Sequence, residues 1–134
     1  MAETSPWIAI VDDDPSVLKA LARLLRTHAC RPKTYESAQA FLEALPGGLP
    51  ECLVVDWHMP EMDGLELLEH LRCRGIQVPT IIISAHGDSR ARQRCISAGA
   101  LAFLPKPLQD TELLAAIAAA RKMTRNNTAG PTEA

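Results

Sequence analysis

The stretch Trp7-Ile8-Ala9-Ile10-Val11-Asp12-Asp13-Asp14-Pro15 decides the fold. Its apolar half does not alternate with polar residues, which describes a strand covered on both faces, the habit of a central strand in a parallel sheet. Three carboxylates end the strand. Asp14-Pro15 then reads as a helix start, with an Asp N-cap and Pro at the first helical position. Val17, Leu18, Leu21, Leu24 and Leu25 follow at offsets 0, 1, 4, 7 and 8, an amphipathic stripe. A buried strand, a charged turn and a covering helix make the first βα unit.

The same alternation recurs along the rest of the chain. Arg31 to Tyr35 reads as a weak, polar strand at an edge. Ser37 caps a short helix carrying Ala38, Phe41, Leu42 and Leu45, and Pro46-Gly47-Gly48 ends it. Cys52-Leu53-Val54-Val55-Asp56 is a second buried-type strand. Beyond the turn-prone Met59-Pro60-Glu61-Met62-Asp63-Gly64, a helix begins near Asp63 with Leu65, Leu68 and Leu71 inward, and Gly75 closes it. Thr80 to Ser84 is another buried strand. A weaker helix from about Asp88 to Ala98 turns Ala91, Cys95 and Ile96 inward, and Gly99 stops it. Leu101 to Leu104 is the last strand. The last helix runs from Asp110 to about Met123 on Leu113, Leu114 and Ile117. From Thr124 the chain is polar, with Gly and Pro and no periodicity, so residues 1–123 read as the domain and 124–134 as a disordered tail or the start of a linker. Five strands alternating with five helices imply an α/β fold: a (βα)5 doubly wound parallel sheet, right-handed crossovers and helices on both faces.

Composition narrows the function. The 134 residues suit one domain, with 47% hydrophobic and 22% charged residues. A net charge of −2 supplies no basic field for a nucleic-acid backbone or an anionic membrane, so direct nucleic-acid binding by this domain is not expected. No apolar run approaches the roughly 18 residues of a membrane span, and Met1 to Pro6 has no signal-peptide pattern. Cys30, Cys52, Cys73 and Cys95 form no CxxC pair and lie in or beside apolar segments, which reads as buried thiols in a cytoplasmic protein.

In such sheets a ligand site forms at the carboxyl ends of the strands, where strand order reverses. Three strands end near Asp13, Asp56 and Ser84, and Lys106 follows the fifth between two prolines. Asp14 is explained as a cap; Asp12, Asp13 and Asp56 are not. Like charges about 4 Å apart repel by roughly 1 to 4 kcal/mol, so the cluster calls for a divalent cation or a protonated carboxylate. Mg²⁺ fits such oxygen donors best. Lys106 can serve as a point charge for a phosphoryl oxygen, on a Lys106-Pro107 bond open to the cis form, and Ser84 can donate its hydroxyl to the same oxygens.

Residues 7–123 resemble the receiver domain of bacterial two-component response regulators. The resemblance rests on Val11-Asp12-Asp13-Asp14, Val55-Asp56-Trp57-His58-Met59-Pro60-Glu61-Met62-Asp63-Gly64, Ile83-Ser84-Ala85 and Phe103-Leu104-Pro105-Lys106-Pro107. The intervals match as well: 43 residues from Asp13 to Asp56, 28 from Asp56 to Ser84 and 50 from Asp56 to Lys106. Four motifs in order are far more specific than any one of them.

The resemblance implies a flavodoxin-like strand order 2-1-3-4-5 and a phosphoaccepting regulatory domain rather than an enzyme with a separate substrate. Asp56 would accept the phosphoryl group. Asp13 would ligate Mg²⁺ (or Mn²⁺), with Asp12 helping through water or as a second ligand and the His58 carbonyl completing the protein's share. Ser84 and Lys106 would bind phosphoryl oxygens, and Phe103 would rotate inward from outside as Ser84 moves. The implied partners are a sensor histidine kinase or phosphotransfer protein, and a second copy through the face of the fourth helix, fifth strand and fifth helix. The local wording resembles regulators with helix-turn-helix transcription output. Gly64 is expected to need a conformation other residues resist, Trp57 to be a partly exposed loop aromatic, His58 and His86 to sit at the rim, and Arg90, Arg92 and Arg94 to form a solvated face.

Three other readings fit less well. A phosphohydrolase of the haloacid-dehalogenase type needs Asp where His58 stands. A flavodoxin-like cofactor binder needs a Ser/Thr-rich loop where Asp12-Asp13-Asp14 stands. A passive interaction module would not need every position of the set filled.

Overall fold

The computed structural model describes residues 6–85 and 89–129, the last six by their backbone only. The elements are β1 (Ile8–Val11), α1 (Pro15–Thr27), β2 (Pro32–Tyr35), α2 (Ala38–Ala44) with a 3-10 turn at Leu45–Gly47, β3 (Cys52–Asp56), α3 (Gly64–Cys73), β4 (Thr80–Ser84), α4 (Ser89–Ser97), β5 (Ala102–Pro105) and α5 (Asp110–Ala129). The five strands are parallel, as the βα alternation implies, and lie in the order β2-β1-β3-β4-β5 that the resemblance implies.

Burial on both faces explains the unbroken apolar runs. On one face Val11, Leu53, Val55 and Ile82 pack against Phe41, Leu67, Leu71 and Cys95 from α2, α3 and α4. On the other, Ile8, Ile10, Val54, Ile81 and Ile83 pack against Leu18 and Leu25 of α1 and Leu113 and Ile117 of α5. β2 is the polar edge strand, with its central Lys33 and Thr34 exposed.

The helix starts follow the capping expectations. The Asp14 carboxylate accepts the Ser16 N–H at 2.9 Å and the Ser16 hydroxyl at 2.7 Å. Ser37 Oγ accepts the Ala40 N–H at 3.0 Å. Asp63 and Glu66 form a reciprocal capping box, each side chain accepting the other's N–H. Each cap contributes about 1 kcal/mol.

Five expectations need correction. α5 continues to Ala129, six residues past Met123, because no helix breaker occurs before Gly130-Pro131 once the buried Leu113, Ile117 and Ala120 have anchored its first half. Residues 130–134 lie outside the described residues. Ile96 is 46% exposed; in so short a helix, Cys95 alone is buried. Cys73 is exposed and Cys30 half-buried, since Cys73 ends α3 and Cys30 lies in the connection between α1 and β2. Trp57 is buried, and Gly64 has no left-handed backbone. The last two belong to the site.

Candidate functional site

β1 and β3 are neighbours at the centre of the sheet, with β2 beyond one and β4 beyond the other. Their carboxyl ends therefore open side by side at the point where strand order reverses. This places Asp12, which is 2% exposed, next to Asp56, which is 6% exposed, with Asp13 at the open rim. Carboxylate oxygens of the three lie within 4.8 Å of one another. The Asp14 N–H donates to Asp12 Oδ1 at 2.9 Å.

Lys106 reaches the same point from the far side. Its N–H donates to the Ser84 carbonyl at 2.8 Å, and the Lys106-Pro107 bond is cis. The ammonium lies 3.2 Å from Asp56 Oδ1 and 3.6 Å from Asp12 Oδ2. Ser84 is fully buried, and its hydroxyl lies 3.2 Å from His58 Nε2.

The charge balance is unequal: three carboxylates face one ammonium. Burial pushes the Asp56 carboxyl above its ordinary value, and Lys106 only partly offsets this. Asp12 is likewise raised by burial and by Asp56, against the Asp14 N–H and Lys106. Burial works against the charge of Lys106 as well, yet Asp56 and Asp12 together outweigh it and hold the ammonium more firmly protonated. The two directions agree, because the lysine has two partners while the carboxylates share one lysine. A cluster that remains short of positive charge and offers only hard oxygen donors fits a divalent cation such as Mg²⁺.

Spacing placed Asp12, Asp13, Asp56, Ser84 and Lys106 correctly at one end of the sheet. It missed the surroundings. Trp57, expected half out of the structure, is 7% exposed, because it continues the period-two face of Leu53 and Val55 into the core. That period was the available signal. His58 is exposed but not an isolated rim residue: it stacks on Trp57 with ring centres 5.5 Å apart at 9°. Phe103, expected outside, is already inside at 4% exposure, edge-on to Trp57 at 6.1 Å and 85°. It shares the face of its pairing partner Ile82. Arg92 and Arg94 are not merely solvated: Arg92 Nη1 donates to the Phe103 carbonyl at 3.3 Å, and the Arg94 guanidinium lies 5.6 Å from the Trp57 ring centre. Gly64 is needed for closeness rather than conformation. A Cβ there would stand 2.6 Å from the Asp56 main-chain oxygen. His86 lies outside the described residues.

Comparison with known proteins gives this site a lineage. Residues 8–118 match the family model of the response regulator receiver domain. The chain is 41% identical over 123 residues to the response regulator protein TodT of Pseudomonas putida, covering 92% of this chain and 54% of that protein. It is 40% identical over 114 residues to the transcriptional regulatory protein FixJ of Rhizobium meliloti, covering 85% and 56%. Among solved structures, FixJ-N superposes with a TM-score of 0.81 at 38% identity, covering 89% of this chain and 95% of that one. The response regulator StyR does so with 0.85 at 37%, covering 96% and 65%. This chain thus spans about half the length of the curated relatives it matches. Its family model, its relatives and its strand order agree: the chain belongs to the response regulator receiver domains, the phosphoaccepting signalling modules of two-component systems.

Proposed function

We propose that Asp56 is the phosphoacceptor and takes its phosphoryl group from the phosphohistidine of a sensor histidine kinase or phosphotransfer protein in the cytoplasm. The observation that carries this reading is the Asp56 carboxylate, gathered with Asp12 and Asp13 within 4.8 Å and met by Lys106 at 3.2 Å. Asp12, Asp13, Asp56 and the His58 main-chain carbonyl would hold Mg²⁺, for which Mn²⁺ can substitute. When bound, the ion neutralises the carboxylates and the phosphoryl oxygens together.

The chain's own groups supply the rest. An Asp56 oxygen attacks phosphorus in line, the new O–P bond forms as the donor's N–P bond breaks, and the electron pair returns to the donor imidazole. Asp56 needs no general base when it reacts as the carboxylate, the form that Lys106 and a bound cation favour. Lys106 shifts from carboxylate towards phosphoryl oxygen without leaving the pocket, and the Ser84 hydroxyl donates to a second oxygen. Ser84 and Phe103 act as the switch. A phosphoryl group draws Ser84 towards Asp56 and, with the Phe103 ring already inward, biases an existing equilibrium of the α4-β5-α5 face. That face would carry a homodimer contact or an output domain. Two relatives named as transcription regulators support a transcriptional output, whereas the charge of −2 leaves DNA contact to another domain.

Intact-mass analysis after incubation with acetyl phosphate and Mg²⁺ tests this. One phosphoryl group should be added, with none in EDTA and none in Asp56→Asn. Undiminished labelling of Asp56→Asn would overturn the assignment.

A further inference from the structure

The Ser84 hydroxyl is already engaged in the resting protein. His58 Nε2 lies 3.2 Å away. The imidazole is held in that place by its stack on Trp57, 5.5 Å apart at 9°, and the indole is itself fixed. Its main-chain N–H donates to the Ile83 carbonyl at 2.8 Å, its carbonyl accepts the Gly64 N–H at 2.9 Å, and its ring meets the edge of Phe103. The same indole carries the Arg94 guanidinium of α4 at 5.6 Å. An unbroken series of contacts therefore joins the Ser84 hydroxyl to α4 through His58, Trp57 and Arg94.

We propose that His58 and Trp57 form a latch: His58 holds the Ser84 hydroxyl in the resting state, and the release of that hydroxyl to a phosphoryl group is passed through the Trp57 indole to Arg94 and α4. The inference rests on Asp56 being the phosphoacceptor. Its physical basis is competition. A hydroxyl has one proton to donate, and whichever ring nitrogen of His58 is protonated, the hydrogen bond fixes the direction of Ser84 Oγ. A phosphoryl oxygen on Asp56 draws Ser84 towards itself and away from His58. The imidazole then loses the bond that set its angle over Trp57. The indole is in contact with His58, Phe103 and Arg94 together. The side chains of His58 and Trp57 are thus positioning groups that oppose phosphoryl binding, a role separate from that of the His58 main-chain carbonyl at the cation.

The chain has two tryptophans, Trp7 and Trp57. In a Trp7→Phe background, Trp57 emission reports the latch alone. Beryllofluoride with Mg²⁺ is the probe, a stable stand-in for the phosphoryl group on Asp56. Saturation should change Trp57 emission. His58→Ala and His58→Phe should both tighten apparent beryllofluoride affinity by about two- to tenfold, the worth of one net hydrogen bond. His58→Phe keeps a ring on Trp57 without the bond, so a shared gain assigns the effect to the bond and not to the stack. Arg94→Met should retain the emission change and lose the change in amide exchange across residues 89–97. Unchanged or weaker beryllofluoride affinity in both His58 variants overturns the latch, as does unaltered Trp57 emission in protein that mass analysis shows to be labelled. Failure of the parent protein to be labelled by acetyl phosphate would instead overturn the phosphoacceptor reading beneath it.

Discussion

Replacing Gly64 with alanine would place a methyl carbon 2.6 Å from the Asp56 main-chain oxygen, 3.0 Å from Trp57 Cα and 3.2 Å from the Asp56 carbonyl carbon. Two effects of opposite sign meet at this position. Gly64 opens α3, and helix propensity alone favours alanine over glycine by at most about 1 kcal/mol. The contact works the other way. All three neighbours are main-chain atoms of a strand end buried at the sheet centre, so no side chain can rotate aside, and overpacking of this kind costs about 1 to 3 kcal/mol. A 2.6 Å contact with main chain belongs in the upper part of that range, about 2 to 3 kcal/mol, so after a propensity gain of about 1 kcal/mol the net expectation is a loss of about 1 to 2 kcal/mol. Urea unfolding followed by circular dichroism would measure it, with Gly47→Ala as the control. A Cβ at Gly47 meets nothing within 4 Å, so that variant should stay within about 0.5 kcal/mol of the parent. Acetyl-phosphate labelling of Gly64→Ala should also slow, because the displaced atoms carry the Asp56 carboxylate. A Gly64→Ala protein as stable as the parent or more so would refute the claim that close approach, rather than propensity, governs the position.

Asp12→Asn should raise stability in EDTA at pH 7 by about 1 kcal/mol, since it removes a charge whose repulsion is worth roughly 1 to 4 kcal/mol while its Oδ1 can still accept the Asp14 N–H. The sign with pH follows from the raised carboxyls of Asp12 and Asp56. The folded state holds their protons to higher pH than the unfolded state, whose value is near 3.8, so the metal-free parent gains on the variant as pH falls through the raised values towards 3.8 and loses that gain as pH rises. A stability difference between the two that does not vary with pH in EDTA would contradict this. Lys106→Met should destabilise the metal-free protein by about 1 to 3 kcal/mol, because it leaves Asp12 and Asp56 without their cation. Saturating Mg²⁺ should recover part of the loss in thermal melts; equal loss with and without Mg²⁺ would argue that Lys106 acts by packing. Maleimide should modify native Cys73 and, more slowly, Cys30. Cys52, whose thiol burial pushes up to about 12, and Cys95, pushed up to about 11, should react only after denaturation. Native modification of Cys52 in intact-mass spectra would show that β3 opens.

The framework of this protein is written locally in its residues. A strand buried on both faces must be written as an unbroken apolar run, so Trp7 to Val11, Cys52 to Val55 and Thr80 to Ile83 declared a parallel sheet in their own residues. Caps are equally local: Asp14, Ser37 and Asp63 each satisfy an N–H within three residues, and each was readable. Because parallel strands bring their carboxyl ends to one edge, the strand-end positions of Asp12, Asp13, Asp56, Ser84 and Lys106 already implied a shared site. What tertiary structure alone decided is how those ends are occupied. Whether Lys106 reaches Asp56 or solvent depends on β5 lying two strands away from β3. Whether Phe103 stands inside depends on the Trp57 edge that receives it, and whether His58 is idle depends on Ser84, 26 residues further along the chain. The need for glycine at position 64 lies in the main chain of Asp56. These are contacts between separate elements. A local pattern records which face of its own element a residue occupies, but not which atom of another element will be there to meet it.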